Sequence, residues 1–283
     1  MILKKGDTIN DTYNVKHFIG QGAFGEVYRV HHKFLGLQVL KLLKTDYVEN
    51  SDIETLIKEA IILSKLTHEN IVRVFETNTF KRDNKTFYFI AMEFVSGESL
   101  SDLLKREISL PVKRAINIQK DYLQGLEKAH SNSIIHRDIN PDNILLSYEN
   151  TLAKGLLSDF GLAQKVDNLE KIASAAGRYL YFAPECFSNI YLPTSDVFSS
   201  GIVFYKMLTG AAPWEIEIDR YQDTNDIINA IMLGRKITPT RPSFFNSEIS
   251  DKLDQIILKS LALDIEERYK NSGEYLREIN DIN

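Results

Sequence analysis

The side chains best suited to chemistry lie between residues 134 and 161, IIHRDINPDNILLSYENTLAKGLLSDFG. Asp138, Asn143 and Asp159 offer the carboxylate and amide oxygens that a hard divalent cation takes as ligands, and a carboxylate beside such a site can accept a proton. Three apolar runs carry them: Ser133-Ile134-Ile135, Asn143-Ile144-Leu145-Leu146 and Gly155-Leu156-Leu157. Runs this short, broken by Asn, Asp and Pro, read as buried strands joined by tight loops. The three oxygens would then meet at the ends of neighbouring strands.

The rest of the chain must position that stretch. Its 283 residues suit two lobes better than one simple core, and 43% hydrophobic with 26% charged residues is an ordinary soluble mixture. A net charge of −5 lends no bulk attraction to nucleic acid or to an acidic membrane surface, so neither is expected as a partner. The single cysteine, Cys186, cannot form an internal disulfide, and the adjacent pair His31-His32 has no Cys or Asp nearby and reads as a solvated strand end. The start, MILKKGDTIND, lacks the apolar core of a signal peptide, and no run approaches the ~18 apolar residues of a membrane span. The expectation is a cytoplasmic, soluble protein of a reducing compartment.

Residues 13–20 and 26–32 read as strands flanking the turn GQGAFG, 20–25. Glycines at 20, 22 and 25 allow backbone N–H groups to approach phosphates; a ligand-free glycine-rich hairpin is the alternative. In the next strand, LQVLKLL at 37–43, Leu37, Val39 and Lys41 share one face and Gln38, Leu40 and Leu42 the other. Residues 51–67 read as a helix with a Ser51–Glu54 capping box, and Glu59 lies on its apolar face, where a carboxylate needs a partner. The segment 87–100, FYFIAMEFVSGESL, is an apolar strand entering a glycine turn. Helices are expected over 111–131, with a stripe at Ala115, Ile118, Tyr122, Leu126 and Ala129, and over 194–210, apolar on nearly every side and capped by Asp196. Residues 214–243 read as a polar surface helix with loops.

HRDINPDN followed by DFG resembles the protein-kinase signature H-R-D-L-x-x-x-N…D-F-G, and GQGAFGEV resembles its G-x-G-x-x-G-x-V. The resemblance spans about 13–280 and is closest to the Ser/Thr branch, since Pro141 is unlike the AAR of tyrosine kinases. It implies an α+β bilobal protein-kinase fold: an N-lobe at 1–92 with an antiparallel sheet and one helix, a hinge at 93–96, and a mainly helical C-lobe at 97–283. It further implies ATP with Mg²⁺ (or Mn²⁺), a protein substrate, and autophosphorylation through a transient dimer. Ile19, Gly20, Gln21, Gly22, Ala23, Phe24, Gly25 and Val27 would cover the nucleotide. Val39, where relatives carry alanine, would narrow the adenine pocket beside Met92, Glu93, Val95 and Leu145, with Ser99 near the ribose. Lys41 would hold phosphates and pair with Glu59, Asp138 would accept the substrate proton, and Asn143 and Asp159 would hold the metal. Arg137 would be a buried cation awaiting an anion, with Ser174 the activation-loop phosphosite candidate. Asp196 would also hold the HRD backbone, and Glu185 would pair with Arg268.

Two positions depart from the pattern. Asn140 stands where the family has a lysine that contacts the transferring phosphoryl group, and Arg178 stands where a threonine bonds the catalytic aspartate and that lysine. One reading is a relocated charge, with Arg178 acting in place of the lysine. The others are relaxed catalysis, in a nucleotide-binding pseudokinase scaffold, and a small-molecule phosphotransferase of the antibiotic-kinase type. Those resemble HGD and lack an APE segment, so Arg137 and residues 183–185 count against the last.

Overall fold

The computed structural model describes residues 1–22, 25–43, 63–148, 153–160, 176–221 and 223–282. These fall into two units, one from Met1–His68 and Val72–Val95, the other from Glu69–Ile71, Ser96–Gly161 and Leu169–Asn283.

The first unit is a six-stranded antiparallel sheet: β1 (Thr8–Ile9), β2 (Tyr13–Gly22), β3 (Gly25–His32), β4 (Gly36–Leu43), β5 (Val74–Arg82) and β6 (Lys85–Glu93). Their order is β1-β2-β3-β4-β6-β5. Alternation decides which face is buried: Tyr28 and Val30 of β3, Leu40 and Leu42 of β4, and Phe89 and Ala91 of β6 form one core with Tyr13 and Val15. Gly22 pairs with Gly25 across the β2–β3 hairpin. Gly25 has φ +155°, and a Cβ there would lie 1.8 Å from the Leu42 carbonyl oxygen, so the ladder itself demands glycine. A Cβ on Gly20 would meet nothing within 4 Å. Of the helix expected over 51–67, Leu63 and Ser64 are helical and 51–62, including Glu59, lie outside the described residues.

The second unit opens with β7 (Gly97–Ser99) and α1 (Leu100–Glu107), followed by α2 (Val112–Ser131). Ser99 accepts the Asp102 N–H at 3.1 Å and so caps α1. The stripe foreseen on α2 is fully buried. β8 (Ile144–Ser147) and β9 (Lys154–Leu157) pair with β7 in the order β7-β8-β9. Asn70 fastens this sheet, its amide donating to the Gly155 carbonyl at 2.9 Å while its own carbonyl accepts from Leu157.

The expected strand at Ser133-Ile134-Ile135 is absent. Ile134 donates its N–H back to Ala129 and Ser133 adopts φ +58°, so this run ends α2 while β7 takes the place beside β8. Asp138 therefore sits in a loop, not at a strand end. The C-terminal elements are α3 (Ala176–Tyr179), α4 (Pro193–Thr209), α5 (Thr224–Gly234), α6 (Asp251–Ser260) and α7 (Ser272–Asn280). α4 is buried without a break from Ser195 to Tyr205 and stops at Gly210, φ +75°. The stretch 214–243 holds the foreseen helix, α5, but Trp214, Ile218, Ile227, Ile231 and Arg235 are buried, more than a surface reading allows.

Candidate active site

Asp196 organises the loop that carries Asp138. Its carboxylate accepts the backbone N–H of His136 (2.8 Å) and of Arg137 (2.9 Å) and the Nε2–H of His130 (2.9 Å). It does not cap its own helix as expected: it lies inside the first turn, where Ser195 accepts the Leu192 N–H at 3.1 Å. With Asp196 only 2% exposed, its charge needs these donors, and they pin the loop.

His136 is fully buried and bridges two of the sequence's segments. Nδ1 accepts the Asp138 N–H at 3.3 Å, so the other ring nitrogen donates to the Ser158 carbonyl at 2.9 Å. Its ring lies 4.4 Å from that of Phe160. Burial pushes the His136 pKa below its ordinary value, as a neutral ring with a proton on Nε2 requires. Arg137, expected to be buried, is half-buried at φ +70° with its guanidinium 6.0 Å above the Tyr191 ring.

Asp138 is 3% exposed, and the described side chains that meet its carboxylate all donate to it. Asn140 Nδ2 donates to Oδ1 (2.9 Å) and to the Asp138 carbonyl (3.0 Å). Asn143 Nδ2 donates to Oδ2 (2.5 Å) and to the same carbonyl (2.8 Å). The guanidinium of Arg178 forms an ion pair with Oδ2. Burial pulls the Arg178 pKa down to about 10, which leaves it cationic at neutral pH. The two residues that depart from the kinase pattern thus meet on one carboxylate. Asn140 also accepts the Asp142 N–H at 2.9 Å, capping the 3-10 turn Pro141–Asn143.

Asn143 turns its amide nitrogen toward Asp138, and among the described residues nothing donates to its side-chain oxygen. Its carbonyl receives the Ser158 N–H and hydroxyl at 2.9 and 3.1 Å, which ties it to the strand end before Asp159. Asp159 is half-buried at φ +59°. An amide oxygen and a carboxylate are the donors Mg²⁺ prefers, so these residues fit that ion.

In the first unit Lys41 is buried on β4 and Val39 half-buried on the same face, while Ile19 and Gln21 are exposed on β2. Val27 and Met92 are half-buried, and Glu93 is exposed with its N–H on the Arg73 carbonyl at 2.8 Å. In the second unit Leu145 is half-buried on β8. Ala23, Phe24, Glu59 and Ser174 lie outside the described residues.

Glu185 and Arg268 form the expected pair, at 2.7 and 3.1 Å, with Ser195 adding a donor at 2.7 Å. Sequence reasoning missed Arg235. It donates to the Phe182 and Leu180 carbonyls at 2.5 and 2.8 Å and lies over Phe198 and Trp214. Its segment, LGRKI, looks like a solvated helix end, and only the tertiary packing tucks it under residues 180–182.

Residues 13–277 match the family model described as a protein kinase domain. A protein of Clostridium perfringens named a probable serine/threonine-protein kinase is 30% identical over 98% of this chain and 39% of its own length. The serine/threonine-protein kinase PrkC of Bacillus subtilis is 29% identical over 94% of the chain and 40% of its own. This chain therefore spans about two fifths of those relatives. The crystal structure of a point mutant of the Mycobacterium tuberculosis PknI kinase domain superposes with a TM-score of 0.74 at 25% identity, covering 99% of both chains. With its fold, its HRD loop and nearly its whole length matched, the chain belongs to the protein-kinase family.

Proposed function

We propose that this chain transfers the γ-phosphoryl group of ATP to serine or threonine hydroxyls of proteins, itself included. The observation that carries the reading is the Asp138 carboxylate, held in a loop pinned by Asp196 and surrounded by donors that keep it ionised. An ionised, oriented carboxylate is what a hydroxyl needs as proton acceptor. The names of the relatives and the Pro141 loop support Ser/Thr as acceptors.

Asn143 and Asp159 would hold Mg²⁺, with Mn²⁺ as substitute; when bound, the ion offsets the negative charge of the phosphates. Lys41 would pair with the α- and β-phosphates, and Glu59 with Lys41. Gly20 is not required by its own packing, so its missing Cβ is best explained by close approach of a ligand. Arg178 would supply the positive charge that Asn140 does not, acting beside the group that reacts. Transfer between two copies would pass through a transient dimer.

The test is phosphate transfer from labelled ATP with Mg²⁺, to the protein itself and to a generic basic protein, beside an Asp159→Asn control. Incorporation on Ser/Thr that disappears in the control is the expected outcome. Should ATP raise the melting temperature without any transfer, Arg178 blocks Asp138 and the scaffold reading replaces this one.

A further inference from the structure

A cavity of about 300 Å³ opens in the second unit beside the reacting carboxylate. Its walls include Lys105 of α1, Asn140 and Asp142 of the 3-10 turn, Arg178 and Tyr181, and Lys206 of α4. The volume lies at the low end for ligand sites and suits one side chain with water. Asn140 and Arg178 also contact Asp138, so a chain presenting a hydroxyl there would pass the cavity within a few residues, at ~3.3 Å per extended residue.

The charges on the walls are not balanced. Arg178 is matched by Asp138. Lys105 pairs with Asp102 at 2.9 Å, an exposed i,i+3 pair that contributes little and is easily exchanged. Asp142 is the acid of the lining; it is exposed, acts on Lys105 and Tyr181, and offsets one of the three wall cations. Lys206 is half-buried, and no carboxylate of the described residues pairs with it. Its ammonium instead lies 3.3 Å from the Tyr181 hydroxyl. That phenol stays protonated, since burial first and Asp142 second push its pKa up, so it offers a second donor and no countercharge. A partly desolvated cation beside an O–H donor is a site for an anion.

We propose that this cavity reads an anionic side chain, a carboxylate or a phosphate ester, within about three residues of the acceptor hydroxyl, with Lys206 as the residue that sets the preference. The substrate class is an acidic or already phosphorylated protein segment. This rests on the kinase reading above, and the test separates the two.

Peptides with one serine are compared, flanked at each of the three positions on either side by glutamate, phosphoserine, alanine or lysine. Phosphate transfer is measured on these, and fluorescence anisotropy on labelled versions with the serine replaced by alanine. The expected result is a glutamate peptide favoured about 10-fold over its lysine counterpart in both readouts, roughly one ion pair's worth. Lys206→Glu should reverse the order and Lys206→Met should level it. A thermal melt accompanies each variant, and if Lys206→Glu fails to fold, Lys206→Met and Lys105→Glu carry the test. Phosphoserine binding more tightly than glutamate assigns the site to primed substrates; equal or weaker binding assigns it to plain acidic ones. Equal affinity for glutamate and alanine peptides, or a preference that survives Lys206→Met, overturns the proposal. Binding preference without transfer would remove the kinase reading and leave this site standing, and transfer without preference would do the reverse.

Discussion

Asp138 shows how much one substitution can be answered by another. A buried carboxylate met by donors on both oxygens is held ionised, and removing a partner costs more than the pair contributes. Arg178 and Asn140 meet on that carboxylate from different segments, so their effects should couple. In a transfer assay, Arg178→Ala should lower kcat by about 10²-fold, the usual cost of one transition-state charge. Asn140→Lys with Arg178 retained should lose about 10-fold through like-charge crowding, and adding Arg178→Thr should recover much of it. Unchanged kcat in Arg178→Ala would end the relocated-charge account.

At the scale of elements, the two hairpin glycines should separate stability from binding. Gly25→Ala drives a methyl into the Leu42 carbonyl and should cost the unit several kcal/mol by denaturant titration. Gly20→Ala has space for its methyl, so the same titration should move by less than about 1 kcal/mol. ATP-dependent thermal stabilisation should nonetheless drop in Gly20→Ala, and equal behaviour of the two variants would argue against a phosphate loop. The Asp196 anchor is a second element-level device, tying the first turn of α4 to the loop of Asp138. Asp196→Ala leaves two backbone N–H groups without their acceptor and should destabilise by about 2–5 kcal/mol. Hydrogen exchange at His136 and Arg137 should rise by a larger factor than elsewhere in the unit.

Over the whole molecule, buried His136 and the Glu185–Arg268 pair respond to acid in different windows. An unfolded histidine binds a proton below about 6.5, whereas buried His136 resists it, so the folded state loses stability as pH falls from 6.5 toward the depressed folded value. Glu185 acts later. Burial works to raise its pKa, but the hydrogen bonds from Arg268 and Ser195 prevail and lower it below 4.5. Its contribution is complete above 4.5 and is lost below. Melting temperature measured from pH 7.5 to pH 3.5 should therefore fall in two stages. Arg268→Ala should cost about 3–5 kcal/mol at neutral pH and shrink the second stage, to which Glu26 and Glu98 also contribute, while retaining the first. A single-stage loss in the unaltered protein would contradict this assignment.

Periodicity along the chain marks the regular elements: the alternation of β4, the stripe of α2 and the all-round apolarity of α4, because burial on a fixed period leaves a mark that neighbours in the chain already carry. The amino-acid sequence by itself also determined the identity of the kinase signature residues, and the Glu185–Arg268 pair followed from that resemblance. Tertiary structure decided what depends on groups far apart in the chain. Ile134-Ile135 has the composition of a strand, yet β7 pairs with β8 and that run closes a helix. Asp196 has the position of a cap, yet its carboxylate serves a loop 60 residues away. Arg235 looks solvated, yet it lies buried beneath the carbonyls of Leu180 and Phe182. Arg178 and Lys206 have no shared pattern in the sequence, and only the fold sets them around one cavity beside Asp138. Local propensity is written over a few residues, whereas the partner of a buried charge is chosen by whichever distant donors the packing delivers.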